Sequence, residues 1–306
     1  MRFDDPFTEK DVIRADKATV TPHMIADATF EGVRAAHTFH KFYLKPLLQG
    51  LIIQSPKEEA IVGLHYRLAA YLTSLCRLNA PIHFQAVAAS SRSIFELGLD
   101  TVLISQDSTN ESIERLQAFT RVERYRVAKK AVDFFSVNPV PADMDISKQR
   151  ALCSDLNQKL QIESLIDQYW GRNRNGDLIW PKHWSRFQDA RGRSRQVGAS
   201  WEERYVCTYY TFSWQVHSGL AGVANISKNL FDGFAMEAFQ LSTDVVLDTY
   251  RILGHELQLG RAMPEWEGRL AFLNRVIELS LVDKSLQSLK EPMKFRYWEE
   301  HEKTFS

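Results

Sequence analysis

No strand-length run in this chain alternates apolar with polar residues between turns. The apolar stretches are instead divided by helix starts and stops. Thr21-Pro22 opens a helix predicted to run to about Ile53, since proline suits a first helical position, where its missing N–H would be unpaired anyway. Ser55-Pro56-Lys57-Glu58 is a capping-box start for a helix to about Leu78. Pro81 opens another to about Ser105, and Ser108 to Glu111 a fourth, ending near Phe135. The two prolines of VNPVPADMD predict a loop, followed by a helix from about Ile146 to Trp170.

Residues 171–200 keep no sustained period and are rich in Gly, Asn, Arg and Trp. They read as a long ordered loop with one short helix, because tryptophans need something to pack on and loops of this length are often functional. Ser200-Trp201-Glu202-Glu203 then starts a helix to about Leu230. Asp232-Gly233 interrupts, the next helix reaches about Leu259 before Gly260, and Pro264 opens the last, to about Leu289. Pro292 precedes an aromatic, charged tail, 292–306. The prediction is an all-α bundle of about eight helices, a single helical domain over 1–306.

Composition narrows the class. The 306 residues carry 38 basic and 38 acidic side chains, so a general polyanion binder is not indicated, although local basic patches remain open. The three cysteines, Cys76, Cys153 and Cys207, have no disulfide or zinc spacing and fit a reducing compartment. No secretory signal and no stretch of the ~18 apolar residues that span a bilayer can be read, so a cytoplasmic protein without membrane contact is expected.

Three constellations carry chemistry. On the helix after Pro81, Gln85, Arg92 and Glu96 share one face of an otherwise apolar segment, so Arg92 and Glu96 are expected to pair, on the surface or in a cleft. In the next, Tyr205, Tyr209, Ser213 and His217 recur every fourth residue, a polar stripe on an aromatic helix followed by Gly219, Ala221 and Gly222. The stripe reads either as a core hydrogen-bond network or as a site with His217 as acid/base and hydroxyls to hold an anionic ligand. The third is 171–204, with eight basic residues against four acidic ones. There Trp180, Trp184 and Phe187 are placed to stack on bases, and Arg186 and its neighbours to meet phosphates; a solvated face with pinned tryptophans is the alternative. Arg121, Arg124, Arg126, Lys129 and Lys130 form a second basic cluster.

Arg92-x-x-x-Glu96, a Trp180–Trp184 stretch and a late Tyr209-x-x-x-Ser213-x-x-x-His217 together resemble a bacterial all-helical family known as a domain of unknown function, over roughly residues 60–260. The resemblance implies a helical intracellular protein and no particular reaction. A looser similarity is to the HEPN superfamily, whose members include metal-independent ribonucleases of toxin–antitoxin and phage-defence systems. Its motif is Arg, four to six residues, then His. Arg34 to His40 matches that spacing, whereas twelve residues separate Arg204 from His217.

No GxGxxG, Walker A or GxSxG is present. His37 and His40 are spaced like two ligands, but no Glu-x-x-His accompanies them, so neither metal nor cofactor is expected. The expected function is an RNA- or nucleotide-acting protein, possible as a ribonuclease with His217, Arg92 and Glu96 catalytic and Tyr209, Ser213, Trp180, Trp184 and Arg186 binding. The alternatives are a non-catalytic module for a protein partner or ligand, and a helical scaffold that homo-oligomerises.

Overall fold

The structure is a computed structural model that describes residues 9–187, 189–212 and 228–289. The described residues are helical, with no strand, as predicted; one isolated bridge joins Arg172 and Leu178. The chain divides into two compact units, residues 1–105 with 197–306, and residues 106–196.

The first unit contains α1 (Glu9–Ala15), α2 (Pro22–Phe39), α3 (Lys45–Gly50), α4 (Pro56–Leu75) and α5 (Phe84–Gln106, but for its last residue). It resumes with α10 (Ala199–Arg204), α11 (Lys228–Glu256), α12 (Leu259–Ala262) and α13 (Trp266–Ser288). The predicted caps are present: Thr21 Oγ1 accepts from Met24 N at 3.2 Å. Ser55 Oγ accepts from Glu58 N at 3.2 Å while Glu58 reaches back to Gln54 N at 2.8 Å. The first predicted helix is continuous but changes register. A π segment, His40–Leu44, joins α2 to α3 just before Pro46, whose missing N–H prevents the α pattern from running through.

Helix α2 packs on both α11 and α13. Phe39 is fully buried between Tyr250 and Trp266, its ring centroid 5.5 Å from each, and Tyr250 donates its hydroxyl to Ala36 O at 2.8 Å. Helix α5 meets α11 through Ser91, whose hydroxyl donates to Ala238 O at 3.2 Å and accepts from Ser242 Oγ at 3.0 Å. Gly98 makes that approach possible: a Cβ there would run into Val245 Cγ1. The N-terminal α1, not foreseen from sequence, seats Ala15 on Leu279 and Leu286 of α13.

The second unit is built on α6 (Glu111–Val137), with α7 (Ser147–Ser154), α8 (Leu156–Tyr169) and α9 (Ala190–Val197, less its last residue). Val122 and Tyr125 of α6 pack with Ile162 and Ile166 of α8, and Trp170 and Leu178 close the cluster. The predicted helix over 146–170 is two, because Asp155 stops the first and caps the second, accepting from Asn157 N at 2.9 Å.

Three predicted boundaries move. Asp107, rather than Ser108, caps the start of α6, accepting from Thr109 N at 2.8 Å and Ser112 N at 2.6 Å, with Asn110 at φ 65° turning the chain. Helix α10 begins after Gly198, so Ser200 lies inside it rather than capping it. Asp232-Gly233 does not interrupt α11: a single glycine costs a helix only ~1 kcal/mol against alanine, and Asp232 is held by His23 at 3.3 Å. Among the described residues no helix is long and apolar enough to cross a membrane.

Candidate functional site

The first unit brings together three of the predicted site residues, with Tyr209 lying 113 positions beyond Glu96 in the chain. Arg92 and Glu96 lie one turn apart on α5, and Arg92 Nε donates to Glu96 Oε1 at 3.0 Å. Tyr209 closes a π segment, Tyr205–Tyr209, that continues α10, and donates its hydroxyl to the same Oε1 at 2.6 Å. The Arg92 guanidinium also lies 5.6 Å from the centre of the Tyr209 ring. The ion pair is therefore neither of the two extremes. Its side chains are 28% and 32% exposed, while Tyr209 is buried beneath them.

Aromatic packing fixes this arrangement. Phe95 stands 4.8 Å from Tyr209 and 5.4 Å from Trp201, and Tyr205 stacks on Tyr209 at 5.1 Å. Burial, reinforced by the Glu96 carboxylate, pushes the Tyr209 hydroxyl well above the usual phenol range, so it stays a donor. Burial works against the charge of Arg92, but the hydrogen bonds and charges of Glu96 and Tyr209 together outweigh it, and the guanidinium is held more firmly protonated than usual. The outcome is a rigid cation at the protein surface, with a carboxylate that accepts from two directions. Tyr209 is committed to Glu96 and so positions the pair, a different role from the ligand contact expected of it. Ser213 and His217, the remainder of the stripe, lie outside the described residues. Gln85 is exposed on α5.

The basic-aromatic segment belongs to the second unit. Trp184 is buried, and Arg126 Nη1 donates to Pro181 O at 2.8 Å. His183 ties the segment to α9. Arg193, itself 3% exposed, donates from Nη1 to His183 Nε2 at 2.8 Å. On its other side His183 Nδ1 lies 3.0 Å from Ser185 Oγ and 3.1 Å from Ser185 N, and Ser185 Oγ donates to Phe187 O at 2.7 Å. The expected single short helix is α9, and the remaining turns are set by Gly171 and Gly176 at positive φ. Trp180 and Phe187 stay 38% and 40% exposed, and Arg186 is exposed within 3.9 Å of Glu111. Trp184 and Arg193 thus anchor the segment, and Trp180, Arg186 and Phe187 face outward from it.

The Arg34–His40 match separates in space. Arg34 pairs with Glu31 at 3.0 Å, whereas His40 is buried with its Nδ1 3.1 Å from Nε2 of His65. His65 is fully buried, and among the described residues its Nδ1 lacks a partner. Burial, with His40 alongside, drives His65 down to about 3, and burial with His37 and Lys45 drives His40 down to about 4. An unpaired acceptor is the cheaper orphan, so His65 Nε2 is the donor in this pair. Among the described residues no group of three His, Cys, Asp or Glu is arranged to hold a metal.

Sequence reasoning missed His65, His183 and Arg193. For His65 the only signal was a polar residue in the apolar run AIVGLHYRLAAYL. Compared with protein-family models, curated proteins and solved structures, the chain matches none.

Proposed function

We propose that this chain acts on RNA or a nucleotide as a metal-independent ribonuclease of the defence or toxin type, in the cytoplasm. The observation that carries the reading is the Arg92–Glu96–Tyr209 cluster: a fixed guanidinium, partly open to solvent, with its geometry imposed by a carboxylate and a buried phenol. A planar guanidinium suits phosphate oxygens, and a preoriented one stabilises charge as it develops on phosphorus. Glu96 orients Arg92, and Tyr209 orients Glu96. His217, eight residues beyond Tyr209, takes the proton of a ribose 2′-hydroxyl as O2′ attacks phosphorus; the P–O5′ bond breaks to leave a 2′,3′-cyclic phosphate, the leaving 5′-oxygen takes a proton back from the His217 imidazolium, and Ser213 hydrogen-bonds the phosphate. The looser similarity to HEPN proteins points the same way.

The test is incubation of the purified protein with total RNA and tRNA in EDTA, beside Arg92→Ala and His217→Ala, each with a melting curve. Cleavage that disappears in folded variants supports the reading. Cleavage that survives both substitutions, or none by the parent protein, removes it.

A second reading rests on Trp180, Arg186 and Phe187, exposed on a segment that Trp184 and Arg193 hold in place. That arrangement suits a non-catalytic module for a protein partner or ligand. It predicts binding that is indifferent to Arg92 and lost with Trp180.

A further inference from the structure

We propose that a cavity of about 430 Å³ in the first unit, lined by α2, α10, α11 and α13, is a binding site for a small organic cation, an alkylammonium or guanidinium compound with a short apolar body. It shares no residue with the Arg92–Glu96–Tyr209 cluster, and its volume lies in the range of small-molecule sites.

The charges lining the cavity are unevenly satisfied. Asp248 takes one arginine on each oxygen, Oδ2 receiving Arg204 Nη1 and Oδ1 receiving Arg251 Nη1, both at 2.7 Å. Arg251 donates further to Asn274 Oδ1 at 3.3 Å. Asp244, one turn earlier on α11, feels the charges of Arg204 and Arg251 through space, but among the described residues it takes a hydrogen bond from neither. Among the described residues its carboxylate accepts a single hydrogen bond, from Gln240 Nε2 at 2.9 Å, and burial raises its proton affinity above the ordinary carboxylate range. A partly desolvated carboxylate with one neutral amide donor has acceptor capacity to spare.

A second observation is independent of that charge. Thr243, also lining the cavity, is 2% exposed, and among the described residues its hydroxyl has no hydrogen-bond partner. Helical threonines commonly donate to the carbonyl four residues back, as Thr249 does to Val245 O at 2.9 Å. Thr243 does not, and a buried hydroxyl without a partner costs ~1–3 kcal/mol. Its oxygen sits at the α2 crossing, 3.5 Å from where a Cβ on Gly32 would lie.

The rest of the lining decides the class of ligand. Ile25, Leu247, Ile277 and Leu281 supply an apolar wall beside Asp244 and Thr243. An ammonium or guanidinium donates to Asp244 and, once the Thr243 side chain turns its enclosed oxygen toward the cavity, to Thr243; its methylenes cover the wall, and its charge compensates Asp244. An anion would meet Asp244 and Glu278, and would have to take the arginines from Asp248.

The test is calorimetric titration and thermal shift of the full chain with agmatine and 1,4-diaminobutane, with butyrate and 1-butanol as anionic and neutral controls. The expected result is saturable one-to-one binding of an amine and a raised melting temperature. Asp244→Asn should weaken binding at least tenfold, and Thr243→Val several-fold while keeping side-chain shape. If Asp244→Asn does not fold, Thr243→Val decides. Failure of both amines to saturate, binding unchanged by these substitutions, or butyrate binding as well as the amines would each overturn the proposal.

Discussion

The hydroxyl of Tyr209 donates at 2.6 Å to the same carboxylate oxygen of Glu96 that accepts from Arg92 Nε. One oxygen thereby links two helices distant in sequence and sets the direction of the guanidinium. Tyr209→Phe keeps the ring packing against Phe95 and Tyr205 and removes only the donor. Hydrogen bonds to charged groups contribute ~1.5–3 kcal/mol, and the partial exposure of Glu96 places this one at the lower end. Chemical denaturation should show that loss with an unchanged m-value, and an unshifted midpoint would refute the link.

Two glycines on neighbouring helices should respond in opposite directions. Gly98→Ala drives a methyl into Val245 Cγ1 and crowds Trp201, so the α5–α11 approach has to open. Overpacking of this kind costs ~1–3 kcal/mol. Gly63 is also helical, with nothing within 4 Å of an added Cβ, and Gly63→Ala should stabilise by ~0.5–1 kcal/mol through backbone entropy. Melting temperatures that move in the same direction would show that the Gly98 contact is not limiting.

The buried imidazole pair predicts an acid dependence of definite sign. His40 and His65 have folded values of about 4 and about 3, below the ordinary 6.5. The unfolded chain therefore binds more protons between about pH 3 and pH 6.5 than the native one, and stability rises with pH across that window. It is fully present above pH 6.5 and drains away as the pH falls toward the folded values. Each histidine contributes about 1.4 kcal/mol per pH unit where only the unfolded chain is protonated. Denaturation midpoints at a series of pH values should give a shallower slope for His65→Leu than for the parent chain. Equal slopes would mean that the pair does not titrate as a buried unit.

The helical class was legible because Thr21-Pro22 and Ser55-Pro56-Lys57-Glu58 are local signals whose capping chemistry depends on no distant residue. Boundaries failed where a rival side chain was nearer the helix end, as Asp107 is to α6, or where a tertiary partner such as His23 overrode the break at Gly233. The pairing of Arg92 with Glu96 was readable from i, i+4 spacing. Their junction with Tyr209 was suggested only by a shared polar pattern, since no local rule relates α5 to a segment more than a hundred residues later. The Asp244 cavity and the His40–His65 pair were not legible, because each depends on which faces α2 turns to α4, α11 and α13.

The basic-aromatic segment separates anchoring from recognition, and its two tryptophans should divide accordingly. Trp184 is 4% exposed beside His183, at 5.4 Å between ring centroids, so Trp184→Ala opens a cavity under the segment. Large-to-small changes of this type cost ~3–5 kcal/mol, which should unfold the second unit early in a melting curve. Trp180 is 38% exposed, and Trp180→Ala should leave that melting curve within ~0.5 kcal/mol of the parent. If the exposed face stacks on bases, the same substitution should weaken binding of single-stranded RNA by ~1–3 kcal/mol, five-fold or more, by fluorescence anisotropy at fixed salt. RNA affinity that is unchanged by Trp180→Ala, Phe187→Ala and Arg186→Ala together would leave the segment a structural clasp and confine any nucleotide chemistry to Arg92 and Glu96.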